Sequence, residues 1–378
     1  MKFCDISALY YPHGGGIKTY IDNKRIIYKQ RNIANVLLAP NVKDLNKVEV
    51  IKDGSLTLYY LPCRKISFTG TSYYIFKNFA DIAKVLEAEK PDIVEIGDKA
   101  TTLFFAKKIQ ALHSSLDLKI FAFSHERADN FTSTVVGNKI IGRLLATFVM
   151  KRFIAAADYV IANSAFTAGE LKTIAKPEKV FVIYLGINAA NLVRANYFNQ
   201  ALYDQLSDHG KKFLLVHVGR LDKDKKIGLL VDIAHQLDPA RYTLVVVGGG
   251  GYQQLIKNLS VVEFVGYRPY EEVKQYLSVC DLGILINDIE PYGLVGLEMM
   301  AMGLPVLGPD RGGLPSFLRP AFAWLLPHRA DAYLTALKQW STLSPDQKNQ
   351  MSAAARTEAE KYSLDAMVDQ LLKIYTTS

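Results

Sequence analysis

Residues 281–308 narrow what this chain can fold into more than any other stretch. They read Asp-Leu-Gly-Ile-Leu-Ile-Asn-Asp-Ile-Glu-Pro-Tyr-Gly-Leu-Val-Gly-Leu-Glu-Met-Met-Ala-Met-Gly-Leu-Pro-Val-Leu-Gly. Residues 282–286 are a short apolar run, partly β-branched, of the kind buried inside a parallel sheet. Residues 287–293 form a polar turn with Pro291 and Gly293. Residues 294–302 contain only Gly296 as a breaker, end at Gly303 and precede Pro305, which predicts a helix with a C-terminal glycine. Val306-Leu307-Gly308 then opens another strand. Strand, loop, helix and strand in this order mark an α/β architecture.

Two glutamates lie eight apart in this stretch, Glu290 in the loop and Glu298 in the helix. Between them, Tyr292, Gly293, Leu294 and Val295 span a loop-to-helix junction. Its unpaired N–H groups and helix dipole favour a phosphate. Glu290 and Glu298 can accept hydrogen bonds from hydroxyls on either side of that phosphate. A ligand with phosphates in the middle and hydroxyls at both ends is a nucleotide sugar. As isolated residues the two glutamates are equally well read as surface charges; the whole ordered string is what points to a site. It resembles the Glu-x7-Glu motif of the retaining glycosyltransferases of family four, which have the GT-B fold.

The alternation of strand and helix runs along the whole chain without internal repeats. Strands are predicted at 3–9, 33–39, 56–61, 93–96, 119–126, 159–164 and 180–184. Residues 73–89 read as one helix, and 100–113 as another. After residues 189–210, polar and weakly patterned, the alternation restarts with strands at 213–218, 242–247 and 262–266. The fold class predicted is α/β, with two doubly wound Rossmann-like domains. The resemblance places them face to face across a cleft. The expected division is an acceptor-binding domain at 1–190, a linker at 191–210, a nucleotide-sugar domain at 211–360, and a final helix in 361–378 that crosses back to the first domain.

Further motifs carry the resemblance. Gly14, Gly15 and Gly16 sit between the first strand and a helix, where a ligand can approach the backbone. The family has a Gly-Gly loop here beside donor and acceptor, and Gly15 and Gly16 take its place. His125 ends a strand, as does the family's histidine near the donor sugar, but Glu126 replaces the usual aspartate; Arg127 follows, and the three are expected to meet the acceptor. Gly219-Arg220-Leu221-Asp222-Lys223-Asp224-Lys225-Lys226 resembles the family's Gly-Arg-Leu-x-x-x-Lys-Gly signature, with Lys226 in place of glycine. Arg220 and Lys225 can grip a diphosphate, one as a bidentate fork and one as a point charge. Tyr267 and Arg268 follow the strand that lies near the nucleotide base in the family.

The resemblance therefore implies a hexosyltransferase that uses a nucleoside-diphosphate sugar, with retention and without a metal, since no D-x-D pair stands where one would hold Mg²⁺. GDP-mannose is the favoured donor, UDP-glucose or UDP-N-acetylglucosamine the alternative. His125, Glu290, Arg220 and Lys225 are the expected catalytic set. Two other readings share the fold, a sugar-nucleotide 2-epimerase and a binding module without activity; the Glu-x7-Glu string speaks against the first, and the intact Arg220, Lys225, Glu290 and Glu298 set against the second.

Composition bounds the partners. Hydrophobic residues are 49% and charged residues 22%, as in a globular protein with sizeable cores. Cys4, Cys63 and Cys280 are far apart and odd in number, which suits reduced, buried thiols. No apolar run matches a signal peptide or a membrane span, so a cytoplasmic location is expected. Charge is uneven. Residues 1–190 hold 26 Lys and Arg against 17 Asp and Glu, whereas residues 191–378 hold 19 against 20. A basic first half attracts anionic membranes, acidic lipids or nucleic acid, and equally fits a generic charge bias of a soluble domain. Taken with the resemblance, the expected partner is a lipid-linked or glycan acceptor at an anionic membrane face, and no nucleic acid. Residues 137–157 are the sharpest case. Ile140, Ile141, Leu144, Leu145, Phe148 and Val149 make an apolar stripe with Lys139, Arg143, Lys151 and Arg152 around it. That pattern fits a helix lying on a membrane, or a core helix with a solvated basic edge, which is the favoured reading.

Overall fold

The computed structural model describes residues 1–12, 15–68, 71–125, 127 and 139–377. Its contacts divide the chain into two compact units, Met1–Gly186 with Leu364–Ser378, and Ile187–Ser363.

The first unit contains β1 (Lys2–Ile6), β2 (Ala34–Pro40), β3 (Glu49–Asp53), β4 (Leu56–Leu61), β5 (Cys63–Phe68), β6 (Thr71–Phe76), β7 (Ile93–Ile96), β8 (Lys119–Ser124), β9 (Tyr159–Ala162) and β10 (Val180–Val182). Eight of these form one sheet in the order β10-β9-β8-β7-β1-β2-β4-β3. Every pairing is parallel except β3 with β4. One face of the central strands is apolar and covered by a helix: Cys4, Ile6, Val36, Leu38, Val94, Ile96 and Ile120 join one core with Phe79, Ile82, Val85 and Leu86 of the helix Phe79–Glu89.

One expectation fails here. Residues 73–89 are not a single helix. Tyr73, Tyr74, Ile75 and Phe76 belong to β6, which pairs antiparallel with β5, and the helix begins only at Phe79. Aromatic and β-branched residues favour the pleated partner, and Asn78 marks the start by accepting the Asp81 N–H at 3.0 Å.

The second unit holds β11 (Phe213–Val218), β12 (Tyr242–Val247), β13 (Val262–Gly266), β14 (Leu282–Ile284), β15 (Val306–Pro309) and β16 (Ala323–Leu326). They form one parallel sheet in the order β13-β12-β11-β14-β15-β16. The order reverses between β11 and β14, and ligands of doubly wound sheets bind outside the strand ends at such a point. Residues 191–210, expected as a linker, hold the helices Arg194–Tyr197 and Gln200–Ser207 and belong to this unit. Arg194 donates to the Ser278 and Cys280 carbonyls at 2.6 and 2.8 Å, at the end of the helix Tyr270–Val279. A cation there complements the helix dipole. All three cysteines are buried free thiols.

The closing helix, Leu364–Thr377, belongs to the first unit. Tyr375 packs on Phe3 and Phe121, with ring centroids 5.5 and 4.8 Å away, and its hydroxyl donates to the Glu95 carboxylate. That carboxylate sits in a fully buried network. Lys24, from the helix Gly15–Gln30, reaches Asp5 of β1 and Glu95 of β7, the latter at 2.8 Å. Tyr20 donates to Glu95, and Asn35 of β2 donates to Asp5 at 2.8 Å. Burial disfavours the Lys24 ammonium, but Asp5 and Glu95 outweigh it and hold its pKa above the ordinary value. Burial also raises the Glu95 carboxyl, against the pull of Lys24. Two strands, a helix and the end of the chain are thus joined through one cation. Removing one partner of a buried ion pair costs about 3–5 kcal/mol. Lys24→Met is expected to destabilise the first unit by that order in urea unfolding; a midpoint equal to wild type would show that the network is not needed.

Candidate active site

The ends of β11, β14 and β15 bring together residues far apart in sequence. After β11 the chain runs through Arg220, whose guanidinium points outward and is steered by Asp222 and by Asp224, the latter at 2.9 Å. Five residues on, the Lys225 ammonium meets the Glu290 carboxylate at 2.8 Å, and Asn287 Nδ2 donates to the same oxygen at 2.8 Å. Burial pushes the Glu290 carboxyl up, but the Lys225 charge and the two hydrogen bonds hold it below the usual carboxylate range. Glu290 is therefore an anion that keeps a cation at the strand ends.

The loop carrying Glu290 is clamped from the far side. Gly313 donates its N–H to the Glu290 carbonyl at 2.7 Å. A Cβ at Gly313 would lie 2.0 Å from the Pro291 carbonyl oxygen, so no larger residue lets the two loops meet. The run of glycines at 248–251, after β12, answers a similar need. A Cβ at Gly248 would lie 1.9 Å from the Gly219 carbonyl oxygen. Leu221 N–H donates to Gly249 and Gly251 N–H to the Asp222 carboxylate, each at 3.0 Å. These glycines bring one backbone onto the Gly219–Asp222 turn and thereby set where Arg220 stands.

The helix Leu294–Ala301 follows Gly293 directly. Its first N–H groups, at Leu294 and Val295, have no earlier helical turn to donate to. The Tyr292 ring is buried edge-on against Phe317, 5.3 Å between centroids, so what this residue can offer a ligand is its backbone. Glu298 lies one turn into the helix and accepts from the Tyr270 hydroxyl at 2.9 Å. Burial raises the Glu298 carboxyl, the Tyr270 hydrogen bond and the Lys274 charge oppose it, and the result is a pKa of about 7. Tyr267, after β13, is 78% exposed, and Arg268 beside it pairs with Glu272 at 3.4 Å.

In the first unit, His125 follows β8 and is buried between the rings of Tyr20 and Phe123. Its Nε2 has no hydrogen-bond partner among the described residues and lies 3.8 Å from where a Cβ of Gly97 would stand. Burial, then the charges of Lys99 and Lys24, hold its pKa well below 6.5, so the imidazole is neutral. Its carbonyl accepts from Asn163 at 2.9 Å. Arg127 donates to the Phe166 carbonyl at 3.1 Å and lies over the Phe166 ring. Glu126 lies outside the described residues. Gly15 and Gly16 open the helix Gly15–Gln30, and a Cβ on either would touch nothing within 4 Å.

The sequence reading overlooked three residues of these sites. Asn287 and Tyr270 hold Glu290 and Glu298, yet each looks like an ordinary polar residue. His217, inside β11, donates from Nδ1 to the Ile284 carbonyl at 2.9 Å, which leaves its buried Nε2 as an acceptor without a partner among the described residues.

Comparison with known proteins matches both halves. The model for glycosyl transferases group 1 covers residues 200–358, and that for glycosyltransferase family 4 covers residues 14–191. The chain is 27% identical over 293 residues to the D-inositol 3-phosphate glycosyltransferase of Streptomyces scabiei, covering 71% of the chain and 62% of that protein. The chain thus spans about six tenths of that relative's length. It is 22% identical to the GDP-mannose-dependent alpha-(1-6)-phosphatidylinositol dimannoside mannosyltransferase of Mycobacterium tuberculosis, covering 96% of the chain and 93% of that protein. Among solved structures, sucrose-phosphate synthase from Thermosynechococcus elongatus matches with a TM-score of 0.79 at 19% identity, over 100% of this chain and 98% of that one. This likeness extends the α/β fold over the whole chain.

The raised Glu298 pKa has a consequence for stability. The folded protein holds a proton at Glu298 that the unfolded chain releases near the ordinary glutamate value. That contribution is complete at low pH and is lost as pH rises through about 7. Relative to Glu298→Gln, the wild type is expected to lose stability between about pH 5 and about pH 8. Thermal unfolding of both proteins across that range checks it; a constant difference would overturn it.

Proposed function

The chain belongs to the family-four glycosyltransferases of the GT-B fold, and on that premise we propose that it transfers a hexose from a nucleoside-diphosphate sugar, with retention and without a metal, to a lipid-linked or glycan acceptor at the cytoplasmic membrane face. The observation that carries the reading is the Lys225–Glu290 pair beside the start of the helix Leu294–Ala301. Negative charge grows on the leaving diphosphate as the glycosidic bond breaks. Fixed positive groups that are already in place stabilise that charge most effectively. Arg220 and Lys225 supply two cations, and the N–H groups of Leu294 and Val295 supply dipoles. Glu290 has a double role: it orients Lys225 and its free lone pairs accept from sugar hydroxyls. Glu298 takes the ribose hydroxyls, for which its carboxylate form is the better acceptor. Tyr267 and Arg268 face the base. His125, neutral, offers Nε2 to a sugar or acceptor hydroxyl. Gly15 and Gly16 allow substrate close to the backbone, and Arg127 with Glu126 completes the acceptor side. A same-face displacement assisted by the donor phosphate needs no protein nucleophile.

GDP-mannose is the favoured donor. The mycobacterial relative, which matches over nearly its full length, is named for that donor. A UDP-sugar is the alternative.

Thermal unfolding with a panel of nucleotides and nucleotide sugars, in EDTA, tests the proposal. A ligand at a hundred times its Kd adds about 2.7 kcal/mol. Stabilisation by GDP and GDP-mannose alone is the expected result, and Arg220→Ala is expected to weaken it by at least about tenfold in affinity, the loss of one charge-assisted contact. Stabilisation by UDP species instead would reassign the donor. No response to any nucleotide, with Mg²⁺ or without, would overturn the transferase reading.

A further inference from the structure

We propose that the outer face of the helix Lys139–Ala155 seats the first unit on an anionic lipid surface. This deepens the membrane-face part of the proposed function, but it stands on residues that the donor site does not use.

The helix is apolar on two sides. Its inward side is Ala146, Met150 and Phe153, which pack with Ala122 of β8 and Val160 of β9. Its outward side carries Leu144, Leu145 and Phe148, which are 68%, 39% and 52% exposed, with Ile140 and Ile141 exposed one turn earlier. The spacing 141, 144, 145, 148 keeps these residues on one helix face. A core helix with a solvated basic edge would expose polar groups there instead. The helix Lys99–Leu116 lies alongside, since Arg152 Nε donates to the Leu103 carbonyl at 3.1 Å, and it adds Phe104, itself more than half exposed. A contiguous apolar face of this kind marks an interaction site.

Charge selects the occupant. Neither helix contains an aspartate or glutamate. Lys107, Lys108 and Lys151 are exposed around the apolar face. The Arg152 guanidinium lies 5.7 Å from the Phe148 ring centre, at the edge of the stripe. A second copy of the chain would bring a face of like charge against this one, which opposes pairing. An anionic bilayer attracts the cations, takes the apolar side chains at the acyl boundary, and lets the long basic chains reach the headgroups. Among the described residues no helix is long and apolar enough to cross a membrane, so contact is in the plane of the surface.

Flotation of the full chain with vesicles tests this. Wild type is expected to float with phosphatidylcholine vesicles containing phosphatidylglycerol and far less with phosphatidylcholine alone. The double variant Leu144→Asp with Phe148→Asp is expected to lower partitioning about tenfold or more, because two exposed apolar side chains that the bilayer would bury are lost. Lys107→Glu with Lys108→Glu is expected to lower it and to weaken its dependence on salt. Both variants are expected to keep the wild-type melting temperature and nucleotide response, since the altered residues are exposed and outside the donor site. A failure of the membrane inference therefore differs from a failure of the transferase reading. The inference is overturned if wild type does not float with anionic vesicles, or if the aspartate variant floats equally well. A dimer seen by light scattering, abolished by the aspartate pair without any vesicle binding, would assign the face to a second copy.

Discussion

The contact of Lys225 with Glu290 sets the arrangement of the second unit's strand ends. The lysine comes from the loop after β11 and the glutamate from the loop after β14, the two strands between which the sheet order reverses. Asn287 fixes the carboxylate from its own loop, Gly313 fixes the backbone of Glu290 from the loop after β15, and the glycines at 248–251 fix the Gly219–Asp222 turn from the loop after β12. Four strand ends therefore support one ion pair. For the proposed function, a preorganised cation of this kind would need little rearrangement to meet a diphosphate, which is the condition for strong electrostatic stabilisation. Arg220 differs. It is mostly exposed and, among the described residues, held by Asp222 and Asp224 from its own loop, so in the proposed reaction it would reach the ligand by exchanging carboxylates for phosphate oxygens.

The first unit solves a similar problem with a buried charge instead of a partly exposed one. Lys24 has two carboxylates, Asp5 and Glu95, and the last helix supplies Tyr375 to the second of them. Desolvation makes each of these groups expensive alone, and only the complete set is tolerable. The network sits directly below the ends of β1 and β7. The nearby His125 feels Lys24 as a repelling charge, which helps to keep its imidazole neutral. A neutral histidine can accept or donate at Nε2; a protonated one could only donate. The packing of the C-terminal helix is thus linked to the chemistry of a residue at a strand end far from it in sequence.

How much of this was legible depended on whether the signal was local. The strand–loop–helix around Glu290 and Glu298 could be read because patterning, turn residues and the final Gly303-Leu304-Pro305 all act over a few positions. The Arg220 and Lys225 pair was legible for the same reason. The segment 73–89 was misread because its aromatic residues fit a helical spacing, and only the distant partner β5 makes them a strand. Asn287, Tyr270 and His217 were overlooked because their importance comes from atoms brought in by other loops. The four glycines at 248–251 were noticed, but their purpose, a backbone-to-backbone approach to Gly219, needed the fold.

The helix Lys139–Ala155 shows where a sequence pattern is ambiguous in principle. A helix that is apolar on one face buries that face, and the choice of face is unique. This helix is apolar on two, and the sheet accepts only one of them. Met150 and Phe153 are the larger groups that reach the cluster around Ala122 and Val160. Once they are inside, geometry forces Leu144 and Phe148 out, since positions two to four residues away on the other side cannot turn inward together. Evolution towards solubility alone would replace exposed leucine and phenylalanine with polar residues at no cost to the core. That they stand between lysines, on a pair of helices without a single carboxylate, is the physical argument that the outward face has its own ligand.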